Sequence, residues 1–150
     1  MSKLAVLISI RPKWCELIAS GKKTVEVRKT KPNAILPIKC YIYETQGNER
    51  AGNAEFTYVK KGRGRGRVIG EFVCHNIFPL WPGYIGGDCL TFEEQEDYLG
   101  PNRSGWGWVI SDLTIYDKPK KLNEFYRWAG WTLEAVERAP QSWMYVEELQ

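Results

Sequence analysis

The apolar runs of this sequence are short, and this limits the chain to small structural elements. The longest uninterrupted run extends only from Leu4 to Ile8, whereas a membrane-spanning helix needs about 20 apolar residues. The 14 Gly and 8 Pro divide the chain into many brief segments. With 150 residues, the chain is long enough for one domain with a substantial core. We therefore predict a single domain over residues 1–150.

Six segments have the composition of β-strands. They are rich in β-branched, aromatic and other apolar residues, and Gly or Pro residues bound several of them. These segments are residues 3–10, 22–29, 38–45, 68–78, 106–115 and 143–146. Long helices do not separate them regularly, which disfavours a doubly wound parallel sheet.

Helix signals lie between some of these strands. Pro12 suits the first position of a helix that ends before Gly21. Thr91 and Glu94 have the spacing of a capping box, which predicts a second short helix. A third helix is predicted by the spacing of four residues, and Pro140 would end a further short one. The four residues are Leu122, Phe125, Tyr126 and Ala129. The order of elements predicts an α+β fold in which five or six strands form a small, partly closed β-barrel with short flanking helices.

The cysteine and histidine content argues against several kinds of site. Cys15, Cys40, Cys74 and Cys89 are far apart in sequence, and His75 is the only histidine. Structural zinc sites use closely spaced ligand pairs, so we expect neither a metal ion nor a cofactor. One histidine and no Gly-x-Ser-x-Gly motif also disfavour a Ser–His–Asp hydrolase. Because the N-terminus lacks the pattern of a signal peptide, we expect a cytoplasmic protein with no membrane partner.

Charge is distributed unevenly along the chain, although the net charge is only +3. Residues 1–70 contain 15 Lys and Arg against 5 Asp and Glu, whereas residues 71–150 contain 6 against 13. A flexible glycine-rich loop, predicted over about residues 46–67, holds five of the positive charges. They are Lys60, Lys61, Arg63, Arg65 and Arg67. Such segments bind nucleic-acid phosphates without strong sequence preference, but a solvated hairpin loop explains the same composition equally well.

The second predicted strand carries the most informative side chains. In an extended strand, Val25 and Val27 face one side, and Glu26 and Arg28 face the other, about 7 Å apart. Lys23 belongs by parity to the valine side, but it lies near the strand start and could project toward the same cleft. Two interpretations follow: a surface ion pair of little energetic value, or a polar cleft for an anionic or hydrogen-bonding ligand.

This strand also supports a resemblance to a known family. The sequence resembles the ASCH domain family through a G-x-K-x-x-E-x-R signature, and it looks like the bacterial and phage branch of that family. Further similar segments are ISIRPKW, VIGEFVC, GWGWVISDLTIYDKPKKLNEF and PQSWMYVEEL. The resemblance covers most of the chain except roughly residues 46–67 and 80–104. The signature residues here are Gly21, Lys23, Glu26 and Arg28.

The resemblance implies a PUA-like β-barrel that binds RNA or a nucleotide in a cleft. Lys23, Glu26 and Arg28 would line this cleft, and Gly21 would form the turn that presents them. The turn that contains Arg11 lies beside the signature in the family, so Arg11 is a further candidate ligand-binding residue. The oligomeric state stays open.

The resemblance also implies an alternative, enzymatic function. A subgroup of the superfamily hydrolyses acetylated cytidine nucleosides and carries a motif similar to G-x-K-x-x-T-x-R, in which the lysine activates the threonine. Glu26 occupies the threonine position here, which puts that activity in doubt. Lys23 and Glu26 would be catalytic only if the chain is an enzyme. The alternative is therefore a small hydrolase acting on modified nucleosides, or a ribonuclease, as is reported for some ASCH proteins.

Aromatic residues offer a further cue for nucleic-acid binding. Trp81 and Tyr84 lie in a loop rich in Pro and Gly, where an exposed ring could stack on a base with about 1–3 kcal/mol. Trp106, Trp108 and Trp143 lie in strand patterns, which predicts that at least some of them belong to the core.

Overall fold

The computed structural model describes residues 3–46 and 65–150, and within them the α+β class is confirmed. These residues form two α-helices, ten strands and one short 3-10 helix. The helices are α1 (Pro12–Ala19) and α2 (Phe92–Leu99), and the 3-10 helix spans Leu122–Glu124. The strands are β1 (Leu4–Ile10), β2 (Val25–Arg28), β3 (Ile38–Glu44), β4 (Arg67–Cys74), β5 (Ile77–Leu80), β6 (Gly105–Val109), β7 (Ser111–Lys120), β8 (Tyr126–Ala129), β9 (Thr132–Ala135) and β10 (Trp143–Glu147).

Five strands form the main sheet, in the order β10-β1-β3-β4-β7. β1 runs parallel to β3, and the other neighbours are antiparallel. The strand β1 is covered on both of its faces, so six consecutive residues, 5–10, are buried. A strand buried on both faces has a near-continuous apolar sequence, which explains the run that begins at Leu4.

The main sheet separates two apolar clusters. On one face, Cys15 and Ile18 of α1 pack with Ile8 and with Trp108 of β6. On the other face, Phe125 packs against Tyr41 with ring centroids 4.9 Å apart. The sheet therefore supplies apolar side chains to both sides of the molecule.

Three strands form a small sheet in the order β2-β6-β5. Val25 and Val27 of β2 pack with Leu80 and with Leu99 of α2 on one face. Trp108 is the register partner of Glu26, so these two side chains share the opposite face, which looks toward the main sheet. Within residues 3–46 and 65–150, the strand ladders define these two sheets and a two-stranded sheet of β8 and β9.

The strand number exceeds the five or six expected because several predicted strands divide. Residues 68–78 contain most of β4 and the start of β5, and residues 106–115 contain most of β6 and the start of β7. The strands β8 and β9 then add an antiparallel hairpin of their own.

This hairpin contradicts the two helices that were predicted between residues 122 and 139. Gly130 has φ +65° in the turn between β8 and β9, a conformation that interrupts a helix and that glycine tolerates. Phe125 is buried against the main sheet, while Tyr126 and Trp128 follow it in β8 and are exposed. Tertiary packing of Phe125 thus outweighs the helical spacing.

Both helix starts were predicted correctly. Pro12 occupies the first turn of α1. Thr91 and Glu94 form a reciprocal capping box at α2, with hydrogen bonds of 3.0 and 3.1 Å. Every helix in the described part of the chain is too short to cross a bilayer.

Candidate functional site

The segment between α1 and β2 brings the signature residues together. Gly21 has φ +83°, a left-handed conformation that suits glycine after a helix. The amide of Lys23 then donates to the carbonyl of Leu17 at 3.0 Å. This turn directs the lysine side chain toward β2, where Glu26 and Arg28 share one face.

Lys23, Glu26 and Arg28 form a buried polar cluster, with exposed fractions of 1%, 5% and 8%. Lys23 Nζ lies 3.3 Å from Glu26 Oε1. Arg28 donates from Nη2 and Nε to Glu26 Oε2, at 2.6 and 3.2 Å. The carboxylate therefore bridges the two cations, and the surface ion pair considered from the sequence does not describe this burial.

Arg28 also connects the polar cluster to distant parts of the chain. Its Nη2 donates to the carbonyl of Ser9 at 2.6 Å. Its Nη1 donates to the carbonyl and the hydroxyl of Ser142, both at 3.2 Å. These contacts provide acceptors for the guanidinium group along its whole edge, so Arg28 holds Glu26 in a fixed position.

Lys23 is fully enclosed by its neighbours. Its Nζ donates to the carbonyl of Asp88 and lies 4.9 Å from the centroid of the Trp14 ring. Removing an ammonium group from water is costly unless it gains such partners. The lysine is thus held between a carboxylate, a carbonyl and an aromatic face.

The electrostatics of the polar cluster favour an ionised carboxylate. Burial raises the pKa of Glu26, but the charges of Arg28 and Lys23 and their hydrogen bonds lower it, and the net result is a lowered pKa. Two formal cations then face one anion. The polar cluster therefore carries a local charge of +1, which complements an electron-rich group.

Sequence reasoning missed Gln95, which joins α2 to the loop after β5. Gln95 is completely buried. Its Oε1 accepts from the amide of Gly83 at 2.7 Å, and its Nε2 donates to the carbonyl of Tyr84 at 2.9 Å and to Asp88 Oδ2 at 2.7 Å. The position of Gln95 four residues before the buried Leu99, on the same helix face, was the available signal.

The two predicted stacking residues have different surroundings. Trp81 is 56% exposed. Tyr84 is half-buried, and its ring packs against Phe78 with centroids 5.4 Å apart. Trp81 therefore offers the more accessible ring.

Arg11 lies apart from the polar cluster's hydrogen bonds. It is exposed and immediately precedes α1, where its carbonyl accepts from the amides of Trp14 and Cys15 at 3.0 Å. No hydrogen bond or ion pair of the described residues joins its side chain to Lys23 or Glu26. Its role in ligand binding stays a prediction.

The basic loop can be placed only in part. Lys60, Lys61 and Arg63 lie outside the described residues. Arg65 is half-buried, and Arg67 is the exposed first residue of β4 in the main sheet.

The described tryptophans support the core prediction. Trp108 is fully buried, and Trp106 and Trp143 pack against the same apolar cluster. Across the described ranges, no group of three His, Cys, Asp or Glu side chains is arranged to hold a metal ion.

Comparisons with known proteins concern the family and the fold of the chain. The family model of the ASCH domain matches residues 8–101. The crystal structure of ASCH from Zymomonas mobilis has a TM-score of 0.59 and 21% identity, covering 94% of this chain and 86% of that chain. Crystal structures of two mutants of that protein, both 21% identical, have TM-scores of 0.65 and 0.58, covering 94% of this chain and 87% and 88% of theirs. No curated protein matches the sequence. At this identity, the structures show a shared fold.

Proposed function

The chain belongs to the ASCH domain family, and from this membership together with the polar cluster we propose that it binds RNA or a nucleotide. The observation that carries the proposal is the burial of two cations around one carboxylate. Charged groups are rarely removed from water without a specific arrangement of partners. A preformed donor and acceptor, held side by side, is the arrangement that a base edge requires.

Lys23 and Glu26 supply this pair of groups. An ammonium group has three donors, and hydrogen bonds of Lys23 to Asp88 and Glu26 use two of them. Among the described polar contacts, Glu26 Oε1 contacts only Lys23. This oxygen can therefore accept a hydrogen bond from a second donor. A nucleobase presents adjacent acceptors and donors on its edge. Both side chains are almost fully buried, so we infer that a base or phosphate reaches Lys23 and Glu26 only when the segment around Asp88 moves aside. Arg28 holds Glu26 in place.

The same geometry favours binding over hydrolysis. A carboxylate whose pKa is lowered by two cations is a weak general base at neutral pH. Both of its oxygens also face cationic donors in this arrangement, which reduces their nucleophilicity. Hydrolysis of an acetylated nucleoside or of RNA is therefore the alternative outcome, and the experiment below tests for it.

Fluorescence anisotropy with a labelled 12-nucleotide single-stranded RNA, with unlabelled nucleotides as competitors, tests the proposal. The variant Glu26→Gln keeps the side-chain shape but removes the charge. We expect it to weaken binding at least about tenfold, since one hydrogen bond to a charged group contributes about 1.5–3 kcal/mol. Glu71→Gln is the matched control, because Glu71 also forms an ion pair, with Lys39 at 2.8 Å, in the main sheet.

Two results would refute the proposal. One is failure of the wild-type protein to bind RNA or any nucleotide at low salt. The other is equal weakening by Glu26→Gln and Glu71→Gln at matched melting temperatures. Chromatography of acetylated cytidine and of single-stranded RNA after incubation with the protein separates binding from turnover.

A further inference from the structure

The small sheet gathers three chain segments at one of its ends. Arg28, the last residue of β2, lies opposite Trp106 near the start of β6. Leu80, the last residue of β5, lies opposite Gly105, where β6 begins. Residues that follow β2, follow β5 or precede β6 therefore meet at this end, which we call the cationic edge. Its members are Lys29, Lys31, Trp81 and Arg103.

Two lysines of the cationic edge lie against aromatic rings. Lys29 Nζ is 5.2 Å from the centroid of Tyr98, and Lys31 Nζ is 5.1 Å from that of Trp106. Both residues are exposed, and neither has a carboxylate ion-pair partner within residues 3–46 and 65–150. The aromatic faces orient the ammonium groups without neutralising them. Their charge is thus available to a ligand.

The backbone between these lysines is fixed to the core. The carbonyl of Thr30 accepts from Trp108 Nε1 at 3.3 Å, and its hydroxyl accepts from Trp143 Nε1 at 2.9 Å. The Cα atoms of Lys29 and Lys31 are at most about 7 Å apart, because two residues cannot span more. The two lysines therefore project from a fixed backbone segment, Lys29 toward the ring of Tyr98 and Lys31 toward that of Trp106.

An exposed ring completes the cationic edge. Trp81 follows β5, and β5 is separated from β2 only by β6, so its backbone lies about 10 Å from that of Lys29. Arg103 is exposed and lies two residues before β6. Three cations beside an accessible indole match the alternating phosphates and bases of a single strand.

We propose that the cationic edge binds the backbone phosphates of a single-stranded nucleic acid through Lys29, Lys31 and Arg103, with one base stacked on Trp81. This inference rests on the proposed function. It extends that function from one nucleotide at the polar cluster to the neighbouring nucleotides of the same nucleic-acid strand. Glu26 and Arg28 lie in β2, which ends at the residue before Lys29. A strand bound at the edge therefore places a nucleotide beside the polar cluster.

The salt dependence of binding to a labelled 12-nucleotide oligouridylate tests this inference. Each phosphate contact to a single strand contributes about 0.7 to the slope of log K against log salt. The double variant Lys29→Ala/Lys31→Ala should reduce the slope by about 1.4. The control Lys3→Ala/Lys118→Ala removes the same charge from exposed positions of the main-sheet strands and their flanks, and it should leave the slope unchanged.

A second pair of variants tests the stacking contact. Trp81→Ala should weaken binding about tenfold, in line with the loss of one base–aromatic stack. Trp131→Ala is the control, since Trp131 is fully exposed in the turn between β8 and β9. All of these residues are exposed, so melting temperatures close to the wild-type value should accompany the changes in binding.

The outcomes separate this inference from the proposed function. If Glu26→Gln weakens binding but the Lys29/Lys31 variant keeps the wild-type slope, the cationic edge is refuted and the proposed function stands. Equal slopes for the test and control double variants also refute the edge, because the effect is then one of net charge. Displacement of the RNA by polyglutamate of equal charge, with equal efficiency, shows a general anion patch and overturns the assignment to nucleic acid. Absence of wild-type binding refutes both proposals.

Discussion

Replacing Gln95 by leucine removes the side-chain hydrogen bonds that join α2 to the loop after β5. The substitution keeps a similar volume in a fully buried position. It leaves the amide of Gly83, the carbonyl of Tyr84 and the carboxylate of Asp88 without this partner. Gly83 is exposed and Tyr84 is half-buried, so water can replace part of the lost bonding there. Asp88 is only 2% exposed, and its carboxylate bears the largest cost.

The expected loss of stability follows from these differences. An unsatisfied buried polar group costs about 1–3 kcal/mol, and more if it is charged, while each lost hydrogen bond that water replaces costs about 0.5–1.5 kcal/mol or less. One buried carboxylate and two partly hydrated groups together give about 2–4 kcal/mol. Urea unfolding, with an unchanged m-value, measures this difference.

One control variant and one threshold make the result decisive. Asp97→Leu introduces the same residue at an exposed position of α2 and should change the stability by less than about 0.5 kcal/mol. A loss below about 1 kcal/mol for Gln95→Leu would refute the reasoning, because it would show that the loop does not depend on this side chain. Since Asp88 accepts from Lys23 through its carbonyl, RNA binding should weaken in the same variant.

Further predictions concern the polar cluster and the main sheet. The folded pKa of Glu26 is lowered below its ordinary value of 4.5, so its stabilising effect is full above the unfolded pKa and is lost as the pH falls through the folded pKa. Unfolding free energies from pH 7 to pH 3 should therefore show a wild-type advantage over Glu26→Gln that shrinks below about pH 4.5. Arg28→Lys should destabilise by about 2–4 kcal/mol in chemical denaturation, because one ammonium cannot replace the contacts to Ser9, Glu26 and Ser142 together; a loss under 1 kcal/mol would contradict this role. Gly70→Ala should lower the stability by about 1–3 kcal/mol, because a Cβ atom there would lie 2.4 Å from the carbonyl oxygen of Thr114; a melting temperature equal to that of the wild type would contradict it.

The sequence predicts only those features of the polar cluster that depend on local backbone geometry. Strand parity places Glu26 and Arg28 on one face, and the structure confirms it. The sequence left open whether Lys23 would join them, and the turn after α1 settles this. The contacts of Arg28 with Ser9 and Ser142 join residues 19 and 114 positions apart, and nothing in the sequence around Arg28 encodes such long-range partners.

The hairpin of β8 and β9 shows the same limit in the fold. Residues 122–129 have the apolar spacing of a helix, and residues 106–115 look like a single strand. In residues 122–129, the burial of Phe125 against the main sheet favours the hairpin over a helix. Asp112, with φ +50°, lies where the chain enters β7 and separates it from β6. Both outcomes depend on tertiary packing, which overrides local preference.

The hydrogen bonds from Arg28 to Ser142 also set an order of assembly. Ser142 immediately precedes β10, which pairs with the first strand of the chain. A nascent chain that ends before residue 142 contains all three residues of the polar cluster but lacks this partner for the arginine. During synthesis, the arginine therefore gains its full set of contacts only after almost the whole domain has left the ribosome. Shortened chains should accordingly lose the geometry of the polar cluster even where α1 and β2 are intact.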